Sequence, residues 1–434
     1  MKPHIVALCS PNQSRLDHLR KLALLRNRYE ITCCRIGPGK GWEHRFVDHD
    51  VEIPEGDLTS CTSGAAELLK ACGTPDGIIN LSEAYVPLHA ELCSYYGLIG
   101  PSTDAVRVGR NKYHMRQFCE CLGIPIPIFR LTTSHTLDTC ASLRYPVVVK
   151  PAIGCSSTLV QRVDSHADLL GRFPGILTAA LCVYRKEILL KQTIEEFGDF
   201  PFVVEEMAGG SVQFETVLPY SVGEISVESI ASDGRMTVLA IHDAPVPANG
   251  PFYEKVVNST PTRIPPKLVQ RAHTIVSRLH EALGSGVHAL HTEMRTFDDD
   301  LLLLEFGVRI GGSSLYKSVL HSTGNDLVEL LVQLALRERP HLSDAPAVPT
   351  ITHYIVPESE GRIACFKGIS KAFTSPYYRD LQLYDDVGDA VRRPPLRNRA
   401  SGYFVLSDAP FELLEREAMR LLDEIDVCVD PSSG

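Results

Sequence analysis

The chain predicts an α/β fold that becomes α+β in its C-terminal, catalytic part, on three observations. Strand-like apolar segments and helix-like amphipathic segments alternate through roughly the first hundred residues, the pattern of a parallel sheet with helices on its faces. Beyond Pro101 the texture shifts to proline-punctuated strands and period-two hairpins. The length, 434 residues with 44% hydrophobic and 22% charged content, exceeds a single small core and points to two or three domains.

The elements follow in order. "HIVALCS" reads as a first strand, and the leucines of "NQSRLDHLRKLALLRNRY" recur at helical spacing behind an Asn or Ser cap. "YEITCCRIG" is a second strand, "SGAAELLKACG" a helix stopped at Gly73, "PDGIINLS" a strand, and "EAYVPLHAELCSYYG" a helix closed by Gly97. "NKYHMRQFCECLG" is a further helix. "YPVVVKPAIGCSSTLVQRV" gives strand, Gly/Ser loop, strand, and "PFVVEEMAGG" a strand running into a turn. "EISVESIASDGRMTVLAIHD" alternates around Asp233-Gly234 and predicts a hairpin. "PKLVQRAHTIVSRLHEALG" is a helix, "ITHYIVPESEGRIACFKGI" reads as a second hairpin, and "FELLEREAMRLLDEI" as a terminal amphipathic helix.

Composition narrows the function. No apolar run approaches the roughly 18–20 residues of a membrane span, and the short N-terminal apolar segment reads as a strand, not a signal peptide. The 13 cysteines form no C-x-x-C pair, which argues against a zinc ribbon and for reduced thiols in the cytoplasm. The net charge of -10 and the lack of a basic, aromatic-studded stripe exclude nucleic acid as the expected partner.

The candidate chemistry centres on "HTEMRTFDDDLLLLEFGVRIGG", His291 to Gly312. As a hairpin turning at Asp299, it places His291, Glu293 and Arg295 on one face of the first strand. Leu301, Leu303, Glu305, Gly307 and Arg309 share one face of the second. Glu293 then opposes Glu305, with Cβ atoms roughly 4.5–5.5 Å apart, where like charges repel unless a cation separates them. Mg²⁺ takes one or two carboxylates together with waters and phosphates. A hairpin with two solvated acids is the alternative. Arg309 adds a guanidinium suited to phosphate oxygens, and Gly311-Gly312 a turn whose amides can approach an anion. Lys150 ends an apolar strand before a loop of small residues, Ala152–Ser157, fit for phosphate contact or for an ordinary surface turn. Lys112 opens a helix, and Glu205 and Glu206 end a strand, where a carboxylate beside free amides suits an adenine edge.

Taken together, these segments resemble the ATP-grasp ligases, and their amino-acid (dipeptide) ligase branch in particular, over most of the chain. The resemblance implies an N-terminal Rossmann-like pre-ATP-grasp domain (1–110), a helical linker and small lid subdomain (111–205), and a C-terminal catalytic domain with a sheet extension (206–434). ATP and Mg²⁺ (or Mn²⁺) are the implied cofactors. Lys112 and Lys150 would contact the phosphates, and Gly154, Ser156 and Ser157 would form the loop closing over them. Glu205 would take the adenine amino group, with Glu206, Met207 and Ala208 supporting the ring and Glu224 near the ribose. Glu293 and Glu305 would hold the metal. Arg309, with Lys150, would carry the catalysis by stabilising the transferred phosphoryl group. His291, Gly311, Gly312 and Ser313 are further candidates.

The family's usual E-x-N-x-R, whose asparagine is a metal ligand, reads here Glu305-Phe306-Gly307-Val308-Arg309. The register pairs Gly307 with His291, which is expected to project into the freed space. His242, His288 and His291 are candidates for a general base, with a structural strand position as the alternative for each. The implied activity is ATP-dependent joining of an amino acid to a second amino acid or amine, by a homodimer acting on small molecules. The alternatives are a ligase for another metabolite carboxylate, and a nucleotide-binding regulatory protein that has lost catalysis.

Overall fold

In the computed structural model, residues 2–209, 222–245, 256–297, 299–312, 314–392 and 400–430 are described. The N-terminal alternation folds as a parallel sheet of β1 (His4–Leu8), β2 (Glu30–Ile36), β3 (His49–Ile53) and β4 (Gly77–Asn80), in the order β3-β2-β1-β4. All of β1 is buried, as a strand covered on both faces must be. Ile5 and Ala7 face one apolar cluster with Leu19 and Leu22 of α1 (Leu16–Leu25). Val6 and Leu8 face another, with Cys61 and Ala65 of α2 (Leu58–Leu69) and Leu88 and Leu92 of α3 (Val86–Tyr96). The second helix starts five residues before the predicted segment because Asp57 caps it, accepting from the Ser60 amide. The chain winds outward from β1 to β3, then returns to lay β4 on the other side of β1. The winding therefore reverses between β1 and β4.

α4 (Thr103–Arg110) and α5 (Lys112–Cys121) lead into an antiparallel sheet of β5 (Phe129–Thr132), β6 (Val147–Pro151), β7 (Gln161–Val163) and β8 (Phe202–Glu206). α6 (His166–Val183) packs Phe173 and Ile176 against Val147, Val149 and Phe202 of that sheet, and α7 (Leu190–Phe197) follows.

The third layer is a large antiparallel sheet. It holds β9 (Val222–Ser232), β10 (Arg235–Pro245), β11 (Val257–Thr260), β12 (Ala289–Phe297), β13 (Asp300–Gly307) and β14 (Thr350–Ile355). The Asp233-Gly234 hairpin forms as predicted, both turn residues taking positive φ, 49° and 74°. α8 (Pro266–Leu283) lays Leu268, Ala272, Ile275 and Leu279 on Leu290, Met294, Leu301 and Leu303. α9 (Leu315–Thr323) packs against the large sheet and α10 (Leu327–Ala335) against β4 and α1, so one continuous core runs from Ile5 to Ala289 and joins the two layers.

The predicted second hairpin does not form. β14 has its two edges taken by β11 and by a strand at Gly402–Ser407. The next strand, β15 (Gly361–Lys367), therefore joins a separate small sheet with Asp426–Asp430. The terminal helix, Phe411–Glu424, buries Leu414, Ala418 and Leu421 over this region.

Candidate active site

The β12–β13 hairpin pairs Glu293 with Glu305 and His291 with Gly307, as the register count predicts. It reaches that pairing by a different route. The strands close at Phe297–Asp300, a turn displaced from the predicted pivot, and Asp298 lies outside the described residues. A regular ladder from that turn would set Glu293 opposite Leu304. Instead the register shifts between Glu293 and Met294, leaving Leu304 as an extra residue that restores the glutamate pair. This overturns the expected face assignment. Leu301 and Leu303 are fully buried beneath α8, whereas Glu305 keeps 31% of its side chain exposed on the opposite face.

Opposite this hairpin stands the sheet of β5 to β8, and the two enclose a cleft partly open to solvent. Lys112, Lys150, Gly154, Ser157, Glu205, Glu206, Met207, Ala208, Glu224, Glu293 and Glu305 all line it, brought together from positions nearly two hundred residues apart. Lys112 opens α5 behind Asn111, whose side chain caps the helix by accepting from the Tyr113 amide at 2.9 Å. The Lys112 ammonium donates to the Gly154 carbonyl at 3.1 Å and lies 3.3 Å from Glu305. Gly154 has φ +125°, and a Cβ there would meet the Tyr184 hydroxyl at 2.3 Å, so both backbone and space demand glycine. Ser156 and Ser157 also take positive φ, 57° and 51°, but Ser156 does not line the cleft.

Lys150 and Glu205 are not free at the cleft wall. Lys150 Nζ is 2.6 Å from one Glu205 oxygen, and the buried Arg116 donates its Nε to the other at 2.7 Å. Arg116 also donates to the carbonyl of the bulged Leu304 at 2.5 Å, linking β8 to the hairpin. Burial alone would raise the Glu205 carboxyl, but Arg116 and Lys150 outweigh it and hold it below its ordinary value. Burial pulls the Lys150 ammonium down, with Glu205 opposing and Arg116 adding. At the strand end, the Glu206 and Met207 amides already donate to the carbonyls of Ile128 and Pro146, at 2.9 and 3.2 Å. Glu224 is bound by Arg295, its cross-strand neighbour, at 2.9 Å.

Arg309 lies beyond the cleft lining. Its Nε donates to Glu83 at 2.5 Å and its Nη1 to the Ile310 carbonyl at 2.7 Å. Glu83 follows β4 and also accepts from Arg110 at 2.8 Å, while Arg110 reaches Glu187 at 3.0 Å. Burial would raise the Glu83 carboxyl, but Arg309 and Arg110 drive it down to about 2.

Two expectations around Arg309 need correction. His291 does not occupy the space over Gly307. Its Nδ1 bonds Glu228 and its Nε2 lies 3.2 Å from Glu293. Burial would lower its pKa, but Glu228 and Glu293 outweigh it and raise it to about 9. The space over Gly307 belongs to Glu83 instead: a Cβ on Gly307 would meet a Glu83 oxygen at 3.0 Å. The Gly311 amide is not available to an anion, since it donates to Glu228 at 2.7 Å, and a Cβ there would meet that carboxylate at 2.4 Å. Gly312 carries the Arg15 guanidinium 3.4 Å from its Cβ position, and Ser313 lies outside the described residues. Of the other histidines, His242 is buried against the Ser318 hydroxyl at 3.0 Å, and His288 lines a small cavity behind Arg309.

For a divalent cation, Glu293 and Glu305 are the donors that fit. They face each other at the cleft wall, partly exposed, and among the described residues no third His, Cys, Asp or Glu joins them. Two carboxylates suit Mg²⁺, which keeps waters and takes phosphate oxygens, better than a softer ion that needs an all-protein cage.

Residues 143–317 match the family model described as the ATP-grasp domain. The protein carries an ATP-grasp domain. The matched residues span β6, β7 and β8, the loop at Gly154, the β9–β10 and β12–β13 hairpins and the Arg309 turn. The crystal structure of an L-amino acid ligase from Bacillus licheniformis superposes with a TM-score of 0.78 over 99% of both chains, at 21% identity, and establishes the fold. The L-arginine-specific L-amino acid ligase of Bacillus subtilis is 24% identical over 356 residues, 80% of this chain and 78% of that one. The alanine–anticapsin ligase of Bacillus subtilis (strain 168) is 25% identical over 303 residues, 68% of this chain and 59% of that one. No helix among the described residues is long and apolar enough to cross a membrane.

The sequence alone missed Arg116, Glu83, Glu228, Arg295 as the Glu224 partner, and Tyr184. Arg295 had a signal, since it shares a strand face with Glu293. The others sit in ordinary helix, loop or strand patterns, with partners 26 to 226 residues away.

Proposed function

We propose that this ATP-grasp protein is an ATP-dependent carboxylate–amine ligase that joins an amino acid to a second amino acid or amine through an acyl phosphate. The observation that carries the reading is the Glu293–Glu305 pair, set face to face on a cleft wall opposite two lysines. Like charges opposed there repel; His291 stands beside Glu293 and Lys112 beside Glu305, and the pair suits a divalent cation next to a polyphosphate.

Nucleotide enters the cleft between lid and hairpin. The Glu205 carboxylate is spent on Arg116 and Lys150, so the adenine edge is read by backbone near Met207 and Ala208 rather than by the Glu205 side chain. Lys112 and Lys150 neutralise phosphate charge, and the loop at Gly154–Ser157 covers it. A divalent cation held by Glu293 and Glu305, when bound, shields the phosphates from the incoming anion. An oxygen of the substrate carboxylate attacks the γ-phosphorus and ADP leaves. The amine nitrogen then attacks the acyl carbon, phosphate departs, and the nitrogen loses a proton. Arg309, oriented by Glu83, supplies positive charge where the transferred phosphoryl group develops its own.

Phosphate release measured over pairs of the twenty amino acids with ATP and Mg²⁺ tests the reading. Activity with some pairs, lost with EDTA and restored by Mg²⁺ or Mn²⁺, is expected. No phosphate with any pair would turn the assignment toward another carboxylate or a non-catalytic nucleotide sensor.

A further inference from the structure

Arg15 ends a 3-10 turn between β1 and α1, and its guanidinium sits over Gly312, 3.4 Å from that residue's Cβ position. It is partly buried, and its Nε is out of water without a hydrogen-bond partner. Among the described residues every other arginine that is buried or partly buried has a carboxylate within 4.0 Å: Arg35, Arg110, Arg116, Arg295 and Arg309 are the most enclosed. The same holds at the more open positions, such as Arg26, Arg263 and Arg379. Arg15 has none. After burial itself, the groups that act on it most are Cys9, Tyr384 and Cys155, none of them a carboxylate, and the cation Arg309. A desolvated cation beside a second cation is costly. A group kept at such a cost is a candidate for ligand binding.

The position agrees. In an open parallel sheet, ligands bind outside the carboxyl ends of the strands where the winding reverses. Here that point lies between β1 and β4, which deliver Arg15 and Glu83 respectively, and Glu83 reaches Arg309. Arg15 therefore stands on the acceptor side of Arg309, away from the nucleotide cleft, whose lining includes neither residue.

We propose that Arg15 is the anchor for a substrate carboxylate that does not react, so that one of the two joined molecules retains a free carboxylate at this point. The inference deepens the ligase reading and rests on it for the identity of the reaction. Two sources share the chemistry: the α-carboxylate of an amino acid serving as amine donor, and a second carboxylate on the acid that is activated.

The test uses the full-length protein, Arg15→Gln and Arg15→Lys. Calorimetric titration with the twenty L-amino acids and with their carboxamides, in the presence of ADP and Mg²⁺, reads binding without turnover. The wild type is expected to bind at least one amino acid more tightly than its amide. Arg15→Gln should erase that preference, with a loss of roughly 10- to 100-fold, and Arg15→Lys should restore part of it. Where phosphate release is measurable, KM for the carboxylate-bearing substrate rises by a similar factor while KM for ATP holds. Loss of the effect on amidating the amine donor assigns the group to the donor; loss on replacing a dicarboxylic acid by a monocarboxylic one assigns it to the acid. The melting temperature of Arg15→Gln is expected to be unchanged or higher, since no partner is orphaned. No binding by any amino acid, equal affinity for acid and amide, or a fall in melting temperature with affinity unchanged overturns the proposal. Absence of turnover with these binding differences intact would instead fail the ligase reading alone.

Discussion

Glu83 concentrates most of what is particular to this site. Its carboxylate orients Arg309, receives Arg110, and fills the space over Gly307 where the resembling ligases carry an asparagine. Gly307 is thus not a simple deletion of a ligand, because a side chain there would press on the Glu83–Arg309 pair. Gly307→Asn is therefore expected to lower stability by roughly 1–3 kcal/mol through overpacking and to reduce phosphate release, not to improve it. Thermal melts and the phosphate assay check this, and an asparagine variant with higher activity would refute the account of Gly307. Glu305 is expected to behave differently. Glu305→Gln keeps shape and hydrogen bonding but loses charge, so phosphate release should fall by about 10²–10³-fold with the melt unchanged. Near-normal turnover in that variant would remove Glu305 from the metal-holding pair.

At the scale of the element, the β12–β13 hairpin shows how one extra residue sets chemistry. The run Leu301–Leu304 is apolar at every position, so it carries no alternation from which to read a face. The bulge at Leu304 supplies the missing phase: Leu301 and Leu303 go to the core, and Glu305 to the cleft. The consequence is measurable by urea unfolding. Leu303→Ala should cost about 2–5 kcal/mol as a core truncation, and Leu302→Ala, at a partly exposed position, clearly less. The reverse order would mean that the strand keeps the regular alternation and lacks the bulge.

For the whole molecule, the Glu83 carboxylate ties the parallel sheet to the turn that follows the β12–β13 hairpin, so its ionisation is a term in global stability. Its folded pKa, about 2, lies below the ordinary carboxylate value of 4.5. The folded state therefore binds the proton less readily than the unfolded chain. The stabilisation is fully present above pH 4.5 and is lost as pH falls toward 2. Its size is on the order of 3 kcal/mol. Melting temperature followed from pH 5 to pH 2 should decline more steeply in the wild type than in Glu83→Gln. Parallel declines would place the acid sensitivity elsewhere.

Local pattern by itself determined the element types, the parallel N-terminal sheet, the Asp233-Gly234 hairpin, and the opposition of Glu293 to Glu305 and of His291 to Gly307. The hairpin features depend on close chain neighbours, where periodicity and turn chemistry act directly, whereas the parallel sheet also joins Ile5 to Gly77. Tertiary structure alone decided which charges meet. Glu205 meets Arg116 across 89 positions, Glu228 meets His291 across 63, and Glu83 meets Arg309 across 226. It also sent β15 to a separate sheet, because the edges of β14 were already paired. And it left Arg15 without a counter-charge. A buried ion's energy depends on what stands within a few ångströms of it, and chain separation carries no record of that.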